Sequence, residues 1–120
     1  MKVAILGASK NPERYSYKAF KMLQQYGHLP YPVTPKFAEL EGIPAVGRLT
    51  EIKDQIDTLT MYVGPDISSR LADDILKLKP RRVIFNPGSE NPKLQETLAQ
   101  NGIKIEEACT LVLLRTNQFD

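Results

Sequence analysis

The sequence predicts an α/β domain with a doubly wound, mostly parallel sheet of five to six strands and helices on both faces. Three observations carry this expectation. Short apolar runs at Val3–Leu6, Thr58–Val63, Val83–Phe85 and Ile103–Ile105 alternate with segments of helical spacing, the pattern of parallel strands joined by crossover helices. Glycine and proline punctuate the joins. The 120 residues suffice for one compact core and are too few for a second domain of ordinary size, so residues 1–120 read as a single domain.

Each element has its own signal. Val3 to Leu6 is a continuous apolar run ending at Gly7, as a central strand buried on both faces requires. Ala19, Phe20, Leu23 and Tyr26 recur at helical spacing, with Ser16 as the expected N-cap and Gly27 as the stop. Leu29 to Val33 is the second strand; Pro30 and Pro32 each remove a backbone donor and place it near a sheet edge or start. Residues 34–47 carry Pro35, Pro44, Gly42 and Gly47 and read as loop, with at most a short strand at Ala45-Val46.

A short helix is expected from Leu49 to Gln55, and a strand from Thr58 to Val63 that Gly64-Pro65 ends. The next helix sets Ile67, Leu71, Ile75 and Leu78 on one face, capped by Asp66 and closed by Pro80. After the strand at Val83–Phe85, Asn91-Pro92 reads as N-cap and first residue of a helix with Leu94 and Leu98 inward and Gly102 at its end. Ile103 to Ile105 is the last clear strand. For Cys109 to Leu114 the run is too short to choose between helix and strand. The order of elements is Rossmann-like.

Composition narrows the function. Apolar residues make up 42% and charged residues 25% of the chain, near the soluble globular average. Sixteen basic residues against 14 acidic ones are too even for the basic footprint of a nucleic-acid binder, so no nucleic-acid partner is expected. Cys109 is the one cysteine; with no Cys/His cluster at ligand spacing, no metal is expected and a reducing compartment fits. No secretory signal and no bilayer-length apolar segment is visible, which predicts a cytoplasmic protein without a membrane partner.

In a doubly wound sheet the ligand lies outside the carboxyl ends of the strands, near the point where strand order reverses. That edge collects Gly7-Ala8-Ser9-Lys10-Asn11-Pro12, Thr34-Pro35-Lys36, Val63-Gly64-Pro65 and Asn86-Pro87-Gly88-Ser89. Gly7 permits a tight turn whose free backbone N–H groups bind phosphate oxygens, and Ser9 adds a hydroxyl; the plain alternative is an ordinary strand-to-helix turn. A dinucleotide fingerprint would need glycines at positions 7, 9 and 12, and Ser9 and Pro12 stand at the last two, which disfavours NAD.

Such folds also place an acidic residue near the end of the second strand to hold a ribose diol. Lys36 stands there instead. A lysine suits a phosphorylated ribose, as in NADP or coenzyme A, although a solvated loop lysine is the simple alternative. Lys10, Arg14 and Arg70 lie near the same edge, within approach of a pyrophosphate, whereas Arg81 and Arg82 precede a strand and belong to the opposite edge. His28 follows Gly27 at that opposite edge and reads as structural. Cys109 follows the last strand, where it either faces the ligand or fills space as a small buried hydrophobe.

Taken together, Val3-Ala4-Ile5-Leu6-Gly7-Ala8-Ser9, Asn11-Pro12-Glu13-Arg14, Ser16-Tyr17, Tyr31-Pro32-Val33-Thr34-Pro35-Lys36, Gly42-Ile43-Pro44-Ala45 and Asn86-Pro87-Gly88-Ser89-Glu90-Asn91 resemble the CoA-binding domain family. These are small bacterial Rossmann-type proteins related to the N-terminal domain of the succinyl-CoA synthetase α subunit. The resemblance implies that Gly7, Ala8 and Ser9 line the pyrophosphate, that Pro35 and Lys36 meet the adenosine end, and that Pro87-Gly88 pass near the pantetheine. The family usually has Asn where Thr34 stands, and often a basic pair where Val63-Gly64 stand. The second domain of the synthetases, with its phosphorylated histidine, has no counterpart here, so ligase activity is not expected.

The leading expectation is therefore a binding module for coenzyme A or an acyl-CoA, a small-molecule nucleotide ligand, without catalytic activity of its own. The competing classes are an NADP-linked oxidoreductase or other nucleotide-dependent enzyme, and an interaction module that has lost its ligand. A homodimer is compatible with the resemblance.

Overall fold

The computed structural model describes residues 1–120. The first strand, β1 (Lys2–Leu6), is followed by helix α1 (Tyr15–Gln25) and strand β2 (Leu29–Val33). A two-stranded antiparallel hairpin, β3 (Glu39–Leu40) and β4 (Ile43–Pro44), precedes a 3₁₀ turn at Leu49–Glu51. Then come β5 (Thr58–Met61), α2 (Pro65–Ser68), α3 (Ala72–Leu78), β6 (Arg82–Phe85), α4 (Pro92–Gln100), β7 (Lys104–Glu107) and α5 (Thr110–Arg115).

Five strands form the main sheet in the order β2-β1-β5-β6-β7, every neighbouring pair parallel. The chain runs outward from β1 to β2, then crosses back to β5 on the other side of β1. Strand order thus reverses between β1 and β5, which opens a crevice above their carboxyl ends.

Alternate residues of each strand point to opposite faces, and two cores result. On one face Ala4, Leu6, Leu59, Met61, Val83 and Phe85 pack with Ile75 of α3 and Leu94 and Leu98 of α4. On the other, Val3, Ile5 and Ile84 pack with Phe20 and Leu23 of α1, Leu114 of α5 and Phe119. Filling both faces with aliphatic side chains is what makes β1 a continuous apolar run rather than an alternating one.

The prolines of β2 mark a true edge. Pro32 offers its carbonyl outward to the Val46 N–H at 3.1 Å, while the Val33 carbonyl turns inward to Gly7. N–H and C=O of one residue share a side, so Pro30 and Pro32 lack donors only on the outer side, where the ladder does not need them.

Several expectations are corrected. Ser16 lies inside the first turn of α1 and is buried; the N-cap position is Arg14, without a capping side chain. Tyr26 sits past the last turn and is exposed. Residues 34–47 hold the β3–β4 hairpin, and Val46 contributes an isolated parallel bridge to Val33. The Leu49–Gln55 helix shrinks to the 3₁₀ turn.

The long helix through Ile67 and Leu78 is broken into α2 and α3. Gly64 occupies the N-cap position and Asp66 lies inside α2. The break has a tertiary cause: the Asn91 amide donates to the Ser68 and Ser69 hydroxyls, both at 2.9 Å, pinning this segment to the start of α4. Leu71 leaves helical geometry at the N-cap of α3, and Ile67 is left 43% exposed. Cys109 to Leu114 resolves as the start of α5, with Cys109 at its N-cap.

The edge opposite the crevice is held by charges. Arg82 is buried; its Nε donates to Thr58 Oγ1 at 3.1 Å and its Nη1 to the Phe119 carbonyl at 2.6 Å. His28 is buried against the Phe119 ring, and the Met1 amino group lies 3.0 Å from its Nδ1. Burial, and then the positive amino group, lower the His28 pKa below the ordinary 6.5. The unfolded chain therefore binds the extra proton first. Stability from this group is complete above pH 6.5, declines as pH falls through the lowered folded value, and is level below it. The thermal midpoint is expected to drop between pH 7.5 and 5.5, less steeply in His28→Asn; equal slopes would acquit His28.

Candidate functional site

The reversal of strand order brings the turn after β1 against the end of β5. Gly7 has φ +91°, and a Cβ there would come within 2.9 Å of Val63 Cγ1 and 3.1 Å of the Tyr62 carbonyl oxygen. Only glycine allows this approach. The Val33 carbonyl accepts from the N–H groups of both Gly7 and Ala8, at 3.0 and 3.4 Å. These two donors, expected to be free, are thus committed to joining β1 and β2.

The open donors lie further along. The N–H groups of Ser9 and Lys10 make no hydrogen bond within the chain. The first helical bond of α1 is from Lys18 to Arg14, so the N–H groups of Tyr15, Ser16 and Tyr17 also point forward unpaired. No side chain caps this end and no acidic residue stands in its first turn, which leaves the positive end of the helix dipole uncompensated. Ser9 Oγ accepts from the Asn11 N–H at 3.0 Å and keeps its own hydrogen to donate.

Two clefts meet over the Gly7 turn. The first, about 640 Å³, is polar and runs over Gly7 to Arg14, the start of α1, Lys36, Phe37 and Pro87. The second, about 460 Å³, is walled by Val33, Thr34, Pro35, Leu49, Val63, Gly64, Ile67 and Leu71, with Arg48 and Asp74. Gly7, Ala8, Arg14, Lys36 and Tyr62 belong to both and form the junction. Lys10 stands over the Phe37 ring, 4.9 Å from its centre.

Of the residues nominated from sequence, Gly7, Ala8, Ser9, Lys10, Arg14, Thr34, Pro35, Lys36, Val63, Gly64 and Pro87 are brought together around these clefts. Pro65, Asn86, Gly88 and Cys109 line neither of them. Asn86 is buried, and its amide is fully engaged with Thr60, Met61 and Thr110. Gly88 turns beside Pro87 with φ +93° and donates its N–H to Glu90. Cys109 is half-buried. Arg70 donates to the Asp66 carbonyl and lines neither cleft.

Sequence reasoning passed over Tyr62, Phe37, Arg48 and Asp74. Tyr62 was legible in principle, since it is the first residue past β5. Its phenol is pushed up to about 12, chiefly by burial, and stays protonated at neutral pH. Arg48 and Asp74 carry no local signal, because folding alone sets the 3₁₀ turn beside α3. No group of three or more His, Cys, Asp or Glu side chains is placed to hold a metal ion, and no helix is long and apolar enough to cross a membrane.

A protein-family profile described as "CoA binding domain" matches residues 1–115. The chain belongs to the CoA-binding domain family. This CoA-binding domain is 37% identical over 65 residues to the ADP-forming acetate–CoA ligase of Methanocaldococcus jannaschii, a match covering 54% of this chain and 9% of the ligase. It therefore spans a small part of that relative. An uncharacterized Bacillus subtilis protein is 27% identical over 101 residues, 84% of this chain and 75% of that one.

Among solved structures, an uncharacterized protein superposes on the CoA-binding domain with a TM-score of 0.93 at 41% identity, covering 98% of this chain and 97% of that one. A Thermus thermophilus protein does so with a TM-score of 0.90 at 30% identity, covering 98% and 90%. Both share the α/β sheet architecture from end to end.

Proposed function

We propose that this CoA-binding domain holds coenzyme A, free or acylated, by its nucleotide end at the carboxyl edge of the sheet, as a binding module without catalytic activity of its own. The observation that carries the reading is the junction of the clefts, where Lys36 and Arg14 flank a turn next to the uncapped start of α1. Cations and forward-pointing N–H groups converge on one point, the arrangement that favours a phosphate group.

In this pose the pyrophosphate lies over Ser9, Lys10 and the first turn of α1, and Lys36 meets the phosphate on the ribose. The adenosine enters the second cleft, whose apolar walls suit a flat ring, and the pantetheine leaves along the first cleft past Pro87. The match of residues 1–115 to the CoA-binding family and the 37% identity over 65 residues to an ADP-forming acetate–CoA ligase support coenzyme A over other phosphorylated nucleotides.

The test is calorimetric titration with coenzyme A, dephospho-coenzyme A, NADP and NAD. Coenzyme A is expected to bind tightest and to weaken on loss of its 3′-phosphate. Lys36→Ala is expected to cost about 1–3 kcal/mol of coenzyme A affinity and to leave dephospho-coenzyme A unchanged. Stronger binding of NADP would move the oxidoreductase reading to the front. An equal loss for both coenzyme A forms would take Lys36 off the ribose phosphate.

A further inference from the structure

The part of the second cleft that the first does not share is built around a carboxylate. Asp74 lines it while only 8% exposed. Its hydrogen bonds within the chain are two from Arg48 Nη2, both at 3.3 Å, longer than the roughly 2.7–2.9 Å of a tight charge-assisted bond. Arg48 itself is 68% exposed along its side chain and so is largely solvated. A carboxylate offers about four acceptor positions, and a buried one is stabilised by filling them. Asp74 has capacity for another donor, and the cleft is open to supply it.

The surroundings say what kind of donor. Leu49, Val63, Ile67 and Leu71 wall the same cleft. The break between α2 and α3 turns Ile67 out of the core and leaves it 43% exposed, a large apolar side chain facing the cleft rather than the interior. These walls match the faces of a planar ring. The charge pattern adds direction: the cations Lys36 and Arg14 stand at the junction, whereas at the far end the Arg48 charge is already met by Asp74.

We propose that Asp74 reads the nucleobase, its carboxylate accepting an N–H from the 6-amino group of adenine while Leu49, Val63, Ile67 and Leu71 enclose the ring. This rests on the coenzyme A reading of the site and adds the residue that selects the base. Arg48, itself largely solvated, neutralises Asp74 from the side of the cleft and leaves acceptor positions of the carboxylate open. The cations at the junction, set against a neutralised pair at the far end, orient the nucleotide, phosphates toward Lys36 and base toward Asp74.

The experiment compares coenzyme A with an analogue carrying purine in place of adenine, which removes the 6-amino group and adds no bulk. Wild-type protein is expected to bind the analogue roughly tenfold to a hundredfold more weakly, because a hydrogen-bonding site rejects a ligand lacking its partner. In Asp74→Ala, checked by circular dichroism, the two ligands are expected to bind alike.

Equal affinities in the wild type would overturn the base assignment and leave the coenzyme A reading standing. A preference that survives in Asp74→Ala would place the recognition elsewhere. An Arg48–Asp74 pair that serves only to join the 3₁₀ turn to α3 would lower stability in Asp74→Ala and leave the ratio of the two affinities unchanged. Failure of wild-type protein to bind coenzyme A at all would sink the underlying reading, and this proposal with it.

Discussion

Gly7→Ala is expected to lower the unfolding free energy by about 3 kcal/mol, the sum of a positive-φ penalty and an overlap with the end of β5. The overlap is with Val63 Cγ1 at 2.9 Å and with the Tyr62 carbonyl at 3.1 Å. The side chain can rotate away; the carbonyl can move only if β5 moves. Against a typical domain stability of about 5–15 kcal/mol, this loss would be plain in a urea titration. Gly88→Ala is the control, since Gly88 has nearly the same φ, +93°, and nothing within 4 Å of its would-be Cβ. It carries the conformational penalty alone, of about 1–2 kcal/mol. Equal losses in the two variants would show that the β1–β5 approach does not depend on glycine.

Asn86→Ala is expected to be as damaging, at about 3 kcal/mol, for a different reason. The Asn86 amide donates to Thr60 Oγ1 at 2.7 Å and to the Met61 carbonyl at 2.9 Å, and its oxygen accepts from the Thr110 N–H at 2.8 Å. One buried side chain thus ties β5, β6 and the first residue of α5 together. Alanine leaves the buried Thr110 N–H without this partner, in a place water does not reach. Amide hydrogen exchange at Thr110 should accelerate along with the fall in stability. Should Asn86→Ala keep full stability and lose coenzyme A affinity instead, Asn86 belongs to the ligand after all.

These variants mark where local and tertiary information divide. The edge position of β2 was written in Pro30 and Pro32, the start of α4 in Asn91-Pro92, and the buried strands in runs such as Val3–Leu6. Each is a local rule acting within a few residues. The same holds for the clustering of Gly7, Ser9, Lys36 and Pro87, because a parallel sheet delivers the end of every strand to one edge.

What local rules could not supply is the use each group makes of its neighbours. Periodicity ran one helix through Ile67 and Leu78, while Asn91, 22 residues or more along the chain, reaches Ser69 and Ser68 and helps to split it. Gly7 looked like a source of free N–H groups, yet the Val33 carbonyl, delivered by the neighbouring strand, takes them. Asn86 looked like a ligand contact, yet its amide is satisfied inside the protein.

The amino-acid sequence by itself determined the layers, the parallel sheet, the edge at which the two clefts open and the placing of Lys36 on that edge. These follow from side-chain period, backbone restriction and net charge, all of which act over short stretches. Only the tertiary structure decided which donors stay open, which polar side chains are already paired, and that Arg48 and Asp74 meet beside an apolar cleft. Hydrogen-bond satisfaction is a property of groups distant in sequence, and it is settled when the chain has closed around them.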